Sequence, residues 1–340
     1  MRLIAILLIF ILLFGCLGEE PTPPVEENKT NETINETEEG PPGIFIVEEQ
    51  RNQTVEVEKP PEEPEEEPSE ELEYTYEPEE QVGIYFISVG DTLLHGDSIL
   101  IKKGDLDILV DAASEEAGGR VVDFLRSRSI DDIDVLISTN SDHRHYGGMQ
   151  AVADAYIIEE LWWNDDQSNV EYVSVINSVS TETKETRRTW EGYTRELNGM
   201  QFEILNPPES ERFEDVNNDA MVIRLTEENF TLLITSGIQA GAQGRLINEH
   251  ADDIKVDVMQ APYYGVGAGT SGIGVFLLTA KPDDIVISGS ADDSAPNGGS
   301  REPFKRLMTQ YGIEWHENYV DGTIRIVTDG QEYDIMGLGS

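Results

Sequence analysis

The chain has a single cysteine, Cys16, among 340 residues. That excludes a disulfide framework and any metal centre built on cysteine. Histidine is nearly as scarce, since His95, His143, His145, His250 and His316 are the whole supply. An imidazole-rich metal site would have to draw on those five. Basic residues are few as well: 23 lysines and arginines stand against 68 acidic residues, for a formal net charge of −45. Nucleic-acid binding normally shows a basic patch facing the phosphates, and pairs such as Arg187-Arg188 and Lys305-Arg306 are isolated. Nucleic acid is therefore not expected as a partner. Long apolar runs are also missing. The N-terminal run from Leu3 to Phe14 falls short of the roughly 20 residues a bilayer-spanning helix needs.

What is present divides the chain in three. Met1-Arg2, the apolar run and Gly15-Cys16 have the form of a secretory signal over residues 1–16. Leu13-Phe-Gly-Cys16 resembles the lipobox of prokaryotic lipoproteins, which implies lipidation of Cys16. The other reading is a plain signal anchor with an incidental cysteine. Both predict a protein exported and anchored to the outer face of the cell membrane, with the membrane itself as one partner.

Residues 17–82 hold 23 acidic against 3 basic residues and are rich in Glu, Pro and Thr. Such a composition buries little apolar surface and repels itself, which predicts a disordered stalk. Asn28, Asn31, Asn35 and Asn52 head glycosylation sequons in it, and Asn229 heads a fifth further on. Ile44-Phe-Ile-Val47 is its one apolar island, either docked on the globular part or simply sticky.

From residue 83 to 340 short apolar runs alternate with helical patterns. Strands are expected at Gly83–Ser88, Ser98–Lys102, Asp107–Asp111, Asp134–Ser138, around Leu161–Trp163, and at Phe202–Leu205, Ala220–Leu225, Phe230–Thr235, Val256–Gln260, Asp284–Ser288, Thr323–Thr328 and Glu332–Met336. Helices are expected at Gly119–Arg128, from Gly147, and at Ala240–His250, Gly272–Ala280 and Pro303–Tyr311. Thr181–Thr194 reads as polar and irregular. Strand alternation puts one of Trp162 and Trp163 in the core and leaves the other exposed as a stacking surface. The fold class is α/β (α+β), a four-layer αββα sandwich of two mixed sheets with outer helices, in one domain.

The stretch Val135-Leu-Ile-Ser-Thr-Asn-Ser-Asp-His-Arg-His-Tyr-Gly-Gly148 runs from a buried strand through a polar turn to a helix, where a metallo-hydrolase would place its ligands. Several segments together resemble the metallo-β-lactamase fold, in particular the extracytoplasmic domain of ComEC-type DNA-internalisation proteins. Ile84-Tyr-Phe-Ile-Ser-Val-Gly90 with Gly96-Asp-Ser-Ile-Leu-Ile101 is similar to that family's opening motif, split by an insertion of Asp91–Leu94. Ile108–Ala112, Ile130–Thr139, Phe230–Gly237, Val256–Gln260 and Asp321–Ile326 follow in the family's order.

That resemblance implies a ligand loop of the form His-x-His/Asp-x-Asp-His, and here its positions hold Asn140, Asp142, Arg144 and His145. Gly237 stands where the family has a bridging aspartate, and Tyr263 and Tyr264 where it has histidines. Ala295–Ser300, where a last histidine often lies, has none. The expectation is a remnant metal loop without catalytic residues, in which Arg144 satisfies Asp142 and the two tyrosines fill vacated space. A weaker possibility is a rebuilt mononuclear site on Asp142, His143 and His145, assisted by Asp97 or Asp111 and holding one zinc or manganese. The Gly-rich loop Val266–Gly272 lacks the lysine of a phosphate-binding motif. No cofactor is expected.

The leading functional expectation is therefore a surface-tethered binding or scaffolding module for an unidentified protein or small molecule. The alternatives are an exported metal-dependent hydrolase of nuclease or phosphodiesterase type, and an accessory to DNA uptake, which rests on fold analogy alone.

Overall fold

The computed structural model describes residues 81–90, 96–266, 272–290 and 300–339. The signal segment with Cys16, the stalk to residue 80 with Asn28, Asn31, Asn35 and Asn52, His95, and most of the 266–272 and 295–300 loops lie outside the described residues. Among the described residues, no helix is long and apolar enough to cross a membrane.

Among the described residues, fifteen strands form two mixed sheets. The first half contributes β1 (Val82–Phe86), β2 (Ile99–Lys103), β3 (Leu106–Val110), α1 (Gly118–Ser127), β4 (Ile133–Ser138), α2 (His143–Tyr146), α3 (Met149–Ala155), β5 (Ile158–Trp163), α4 (Val170–Ser180) and β6 (Thr183–Arg188). The second contributes β7 (Thr194–Leu197), β8 (Met200–Asn206), β9 (Val222–Glu227), β10 (Phe230–Ile234), α5 (Ala240–Glu249), β11 (Val258–Gln260), α6 (Ile273–Ala280), β12 (Asp284–Ile287), α7 (Glu302–Tyr311) and β13 (Glu314–Glu317). Strands β14 (Ile324–Thr328) and β15 (Tyr333–Gly337) return to the first sheet. The strand orders are β15-β14-β1-β2-β3-β4-β5-β6 and β13-β12-β11-β10-β9-β8-β7. In each half antiparallel neighbours come first and three parallel pairings follow.

Period-two alternation explains the layering. Ile99, Ile101, Ile108, Val110, Val135 and Ile137 of the first sheet pack against Phe202, Ile204, Ile223, Leu225 and Leu232 of the second. The intervening Leu100, Leu109 and Leu136 point the other way, into a layer with Val121, Leu125, Met149 and Tyr172 from the helices. The second sheet turns Val222, Leu233 and Met259 toward Leu246, Phe276 and Met308. Both sheets are thus covered on both faces, which makes the αββα sandwich.

Four sequence expectations change. Trp162 and Trp163 are both buried, at 0% and 6% exposure, because helices cover the outer face that Trp163 enters. Thr181–Thr194 is ordered, forming edge strand β6 and a tight lead into β7. The helix expected from Gly147 starts earlier, as the single turn α2, and resumes at Met149. Helix α4 and strand β13 appear where no element was expected.

Candidate functional site

The residues of interest gather at one mouth of the sandwich, on loops that follow β3, β4, β10 and β11. Here Asp142 caps α2: its Oδ1 accepts the Arg144 backbone N–H at 3.0 Å, and Asn140 Oδ1 accepts the Asp142 N–H at 2.9 Å. Backbone bonds clip this turn to both sheets. Asp97 N–H donates to the Arg144 carbonyl, Ala112 N–H to the His145 carbonyl, and Met221 N–H to the Thr139 carbonyl. Gly148 is required by crowding, since a Cβ there would lie 2.1 Å from the Ala112 carbonyl oxygen. The turn buries Arg144, His145 and Tyr146 and leaves His143 exposed, beside Asp142 Oδ1 at 3.5 Å.

Arg144 grips Asp142 with a two-pronged ion pair, Nε to Oδ1 at 2.9 Å and Nη2 to Oδ2 at 2.6 Å. Burial alone would push the Asp142 carboxyl up, but the guanidinium overrides it and holds the group well below the usual carboxylate range. The guanidinium is itself buried and lies 5.0 Å from the Tyr264 ring centre and 5.8 Å from that of Tyr263.

His145 is fully buried between two partners. Its Nδ1 lies 2.8 Å from Asp111 Oδ2, and its Nε2 lies 3.0 Å from the Tyr264 hydroxyl. Burial pulls the imidazole pKa down, yet the Asp111 carboxylate raises it above the ordinary value overall. In its protonated form the imidazolium donates from both nitrogens. Asp111 also accepts the Thr139 N–H at 2.8 Å and the Thr139 hydroxyl at 2.5 Å, and Thr139 Oγ1 lies 2.7 Å from Ser236 Oγ. Asp97 Oδ2 is 3.8 Å from His145 Nδ1. Burial raises the Asp97 pKa, and its Oδ1 has no hydrogen-bond partner among the described residues.

The remaining positions close the mouth. Asn140 Nδ2 donates to Asn217 Oδ1 at 3.3 Å across the two sheets. A Cβ at Gly237 would meet those same two atoms at 2.6 Å each, so no side chain fits there without displacement. Tyr263 and Tyr264 both adopt left-handed backbone conformations, φ 47° and 59°, costing about 1–2 kcal/mol apiece. The surroundings hold them: Tyr263 N–H donates to the Ser236 carbonyl at 3.0 Å, and buried Arg301 donates to the Tyr264 and Ser290 carbonyls at 2.9 and 2.8 Å.

The structure thus brings together Asn140, Asp142, Arg144, His145, Gly237, Tyr263, Tyr264, Asp97 and Asp111, and leaves His143 outside the cluster. Asn217 and Arg301 join it without any motif that marks them, and Thr139 and Ser236 join it from the ends of the Ile130–Thr139 and Phe230–Gly237 segments. Asn229 is exposed in the β9–β10 turn, its side-chain amide donating to Gln331 Oε1 at 2.6 Å.

Two other polar features stand apart. Beside Ser141, whose hydroxyl donates to Asp166, opens a cleft of about 260 Å³ lined by Asp165, Asp166, Arg212, Phe213, Glu214 and Asp219. At the end of α5, Glu191, Glu249 and His250 are the one group among the described residues with ligand atoms near enough to share an ion. Arg245 already bridges it, pairing with Glu191 and, through Nε at 3.0 Å, with Glu249.

No family model matches the sequence, and no curated protein does. Solved structures do superpose on it. The metallo-β-lactamase fold protein YhfI from Bacillus subtilis is 13% identical, covering 70% of this chain and 96% of its own, with a TM-score of 0.49. Igni18, a metallo hydrolase from Ignicoccus hospitalis, is 10% identical over 72% of this chain and 98% of its own, with a TM-score of 0.44. CmlA, a diiron β-hydroxylase from Streptomyces venezuelae, is 12% identical over 74% and 54%, with a TM-score of 0.46. At these identities and scores the matches say nothing about chemistry.

Proposed function

We propose that this chain is an exported, lipid-anchored protein whose αββα domain is a metallo-β-lactamase-like scaffold that works without metal and without hydrolysis, as a binding module. One observation carries the reading. The atoms that would face an ion at the two surviving ligand positions are already bonded within the protein. Both carboxylate oxygens of Asp142 are held by Arg144, and both nitrogens of His145 by Asp111 and Tyr264. A catalytic zinc needs about three protein ligands and an open position for water. The donors here are consumed, a side chain at Gly237 would first have to displace the Asn140–Asn217 contact, and the nearest fixed cation is a guanidinium. The residues do not fit the ion, and no reaction step is assigned to it.

The motif order read along residues 83–340 supports the family assignment, and the Leu13-Phe-Gly-Cys16 segment supports the anchor. The acidic cleft beside Ser141 gives the module a concave surface that does not depend on an ion.

The test is metal analysis of the purified full chain after incubation with zinc, manganese and iron, alongside a screen for phosphodiester and ester hydrolysis. Less than about 0.1 ion per chain with no turnover is expected. Near one ion per chain, together with turnover lost in Asp142→Ala, overturns the reading.

A further inference from the structure

Helix α5 runs out into Glu249-His-Ala-Asp-Asp253, which puts a histidine at the negative end of a helix with a carboxylate three residues on. The fold supplies a second carboxylate from elsewhere. His250 Nδ1 lies 2.9 Å from Asp253 Oδ2, and its Nε2 lies 2.6 Å from Glu191 Oε1 on the link between β6 and β7. A neutral imidazole has one N–H and one lone pair, so it donates to one of these carboxylates and turns a lone pair on the other. Only the imidazolium donates to both. Among the described residues, His250 is the one histidine with a carboxylate within hydrogen-bond reach of each ring nitrogen. At the mouth, Nε2 of His145 faces the Tyr264 hydroxyl, which can donate to a lone pair, and His143 and His316 have one carboxylate each.

We infer that His250 is a proton-operated latch on the turn between α5 and β11: charged, it ties Asp253 to Glu191, and neutral, it keeps Glu191 and releases Asp253. The latch stands apart from the mouth and does not depend on the metal-free reading.

Which carboxylate is released follows from what else holds each one. Glu191 is also paired with Arg245, whose Nη1 donates to the Leu205 carbonyl at 3.1 Å, and the Glu191 N–H donates to the Pro207 carbonyl at 2.8 Å. Asp253 has no second cation among the described residues, since Lys255 pairs with Asp252 at 2.6 Å. The Asp253 side chain is also the more exposed of the two, so water more easily takes the place of the imidazolium there. The charged groups facing His250 are Glu191 from the β6–β7 link, Asp253 from the turn, and Arg245 and Glu249 from α5, while the end of β8 offers only uncharged Leu205 and Asn206. With His250 protonated, two cations stand against three carboxylates; with it neutral, one does. Burial pulls the imidazole pKa down, yet Asp253 and Glu191 raise it above the ordinary value overall. The latch is thus closed below about pH 6.5 and opens as pH rises through the folded value. The release is local. His250 N–H still donates to the Leu246 carbonyl and Ile254 N–H to the His250 carbonyl, and Ile254 is fully buried, so the turn is loosened and not lost.

The experiment follows the full chain, carrying isotope-labelled histidine, by NMR across the titration range, together with amide hydrogen exchange corrected for intrinsic rates. His250 should titrate above about pH 6.5, with both ring nitrogens protonated below its midpoint. Exchange in residues 250–257 should become about tenfold faster once His250 is neutral, while residues 189–193 stay protected. Asp253→Asn should lower the His250 midpoint and cancel that step in exchange. His250→Gln, which like a neutral imidazole presents one donor and one acceptor side, should exchange fast in the turn at every pH. If His250→Gln does not fold, the Asp253→Asn comparison decides alone. A His250 midpoint at or below the ordinary value, exchange in 250–257 that ignores the titration, or opening at 189–193 in its place overturns the inference.

Discussion

At the mouth of the sandwich, Arg144 holds Asp142 and His145 is held by Asp111, all on side chains largely withdrawn from water. At the end of α5, Arg245 holds Glu191 and Glu249, and His250 sits between Glu191 at 2.6 Å and Asp253 at 2.9 Å, on side chains 13–55% exposed. The ingredients are the same, an arginine paired with carboxylate beside a histidine with a carboxylate partner, although Arg144 holds one carboxylate and Arg245 two. In both, carboxylates raise the histidine pKa against the opposing effect of burial. The difference is depth. Water solvates whatever the outer cluster leaves unpaired, so each contact there is optional. The inner cluster has no such reserve, and a donor or acceptor that the protein does not answer, such as Asp97 Oδ1, goes unsatisfied.

The sharpest way to break that contrast is to remove each arginine. Arg144→Leu strands a carboxylate beneath the two tyrosines and should cost about 3 kcal/mol in urea denaturation. A cost near that of a surface pair would place the inner cluster in water. Gly237→Asp comes next, at about 2 kcal/mol, because its side chain must displace the Asn140–Asn217 contact.

Acid and alkali then separate the partners within the inner cluster. His145 has a raised pKa, so its contribution is complete below about pH 6.5 and is lost as pH rises through its folded value. Asp142 has a lowered one, so its contribution is present above about pH 3.9 and is lost as pH falls. The stability of wild type measured against pH should decline on both sides. His145→Gln should shrink the alkaline decline to the share that His250 still contributes, and keep the acid one. The smallest effect is expected at the outer cluster, where Arg245→Leu should cost about 0.5 kcal/mol, decreasing further in high salt.

Strand and helix positions were largely readable because the sandwich is apolar on both faces of both sheets. Ile99-Leu-Ile101 and Ile108-Leu-Val110 show that directly, each residue going to one of two cores. The same fact misled the reading of Trp162-Trp163, since alternation separates two faces and does not say that one is wet. Strand β6, Thr-Lys-Glu-Thr-Arg-Arg, carries no apolar signal because it is an edge held by its parallel pairing to β5. Helix α4 is rich in β-branched residues and serine; the Asn169 cap and the burial of Tyr172, Ile176 and Val179 hold it helical. At the mouth, Asp142, Arg144 and His145 lie on one turn and are visible as a group. Thr139 and Ser236 sit in segments the sequence marks, whereas Asn217 and Arg301 are common residues far along the chain that only the packing of the two sheets brings to the mouth.

Strand β1 lies between β2, next in sequence, and β14, which pairs with it from Val82↔Thr328 to Phe86↔Ile324. Nearly the whole domain must therefore be synthesised before this strand acquires its second neighbour. Until then one edge of an apolar strand stays open to any chain that can extend it. Closure across so many residues is slow, because loop entropy is lost before the contacts form. A domain cut after β13 would keep every residue of both polar clusters and still present that edge, so aggregation during folding is the failure to expect from late truncations.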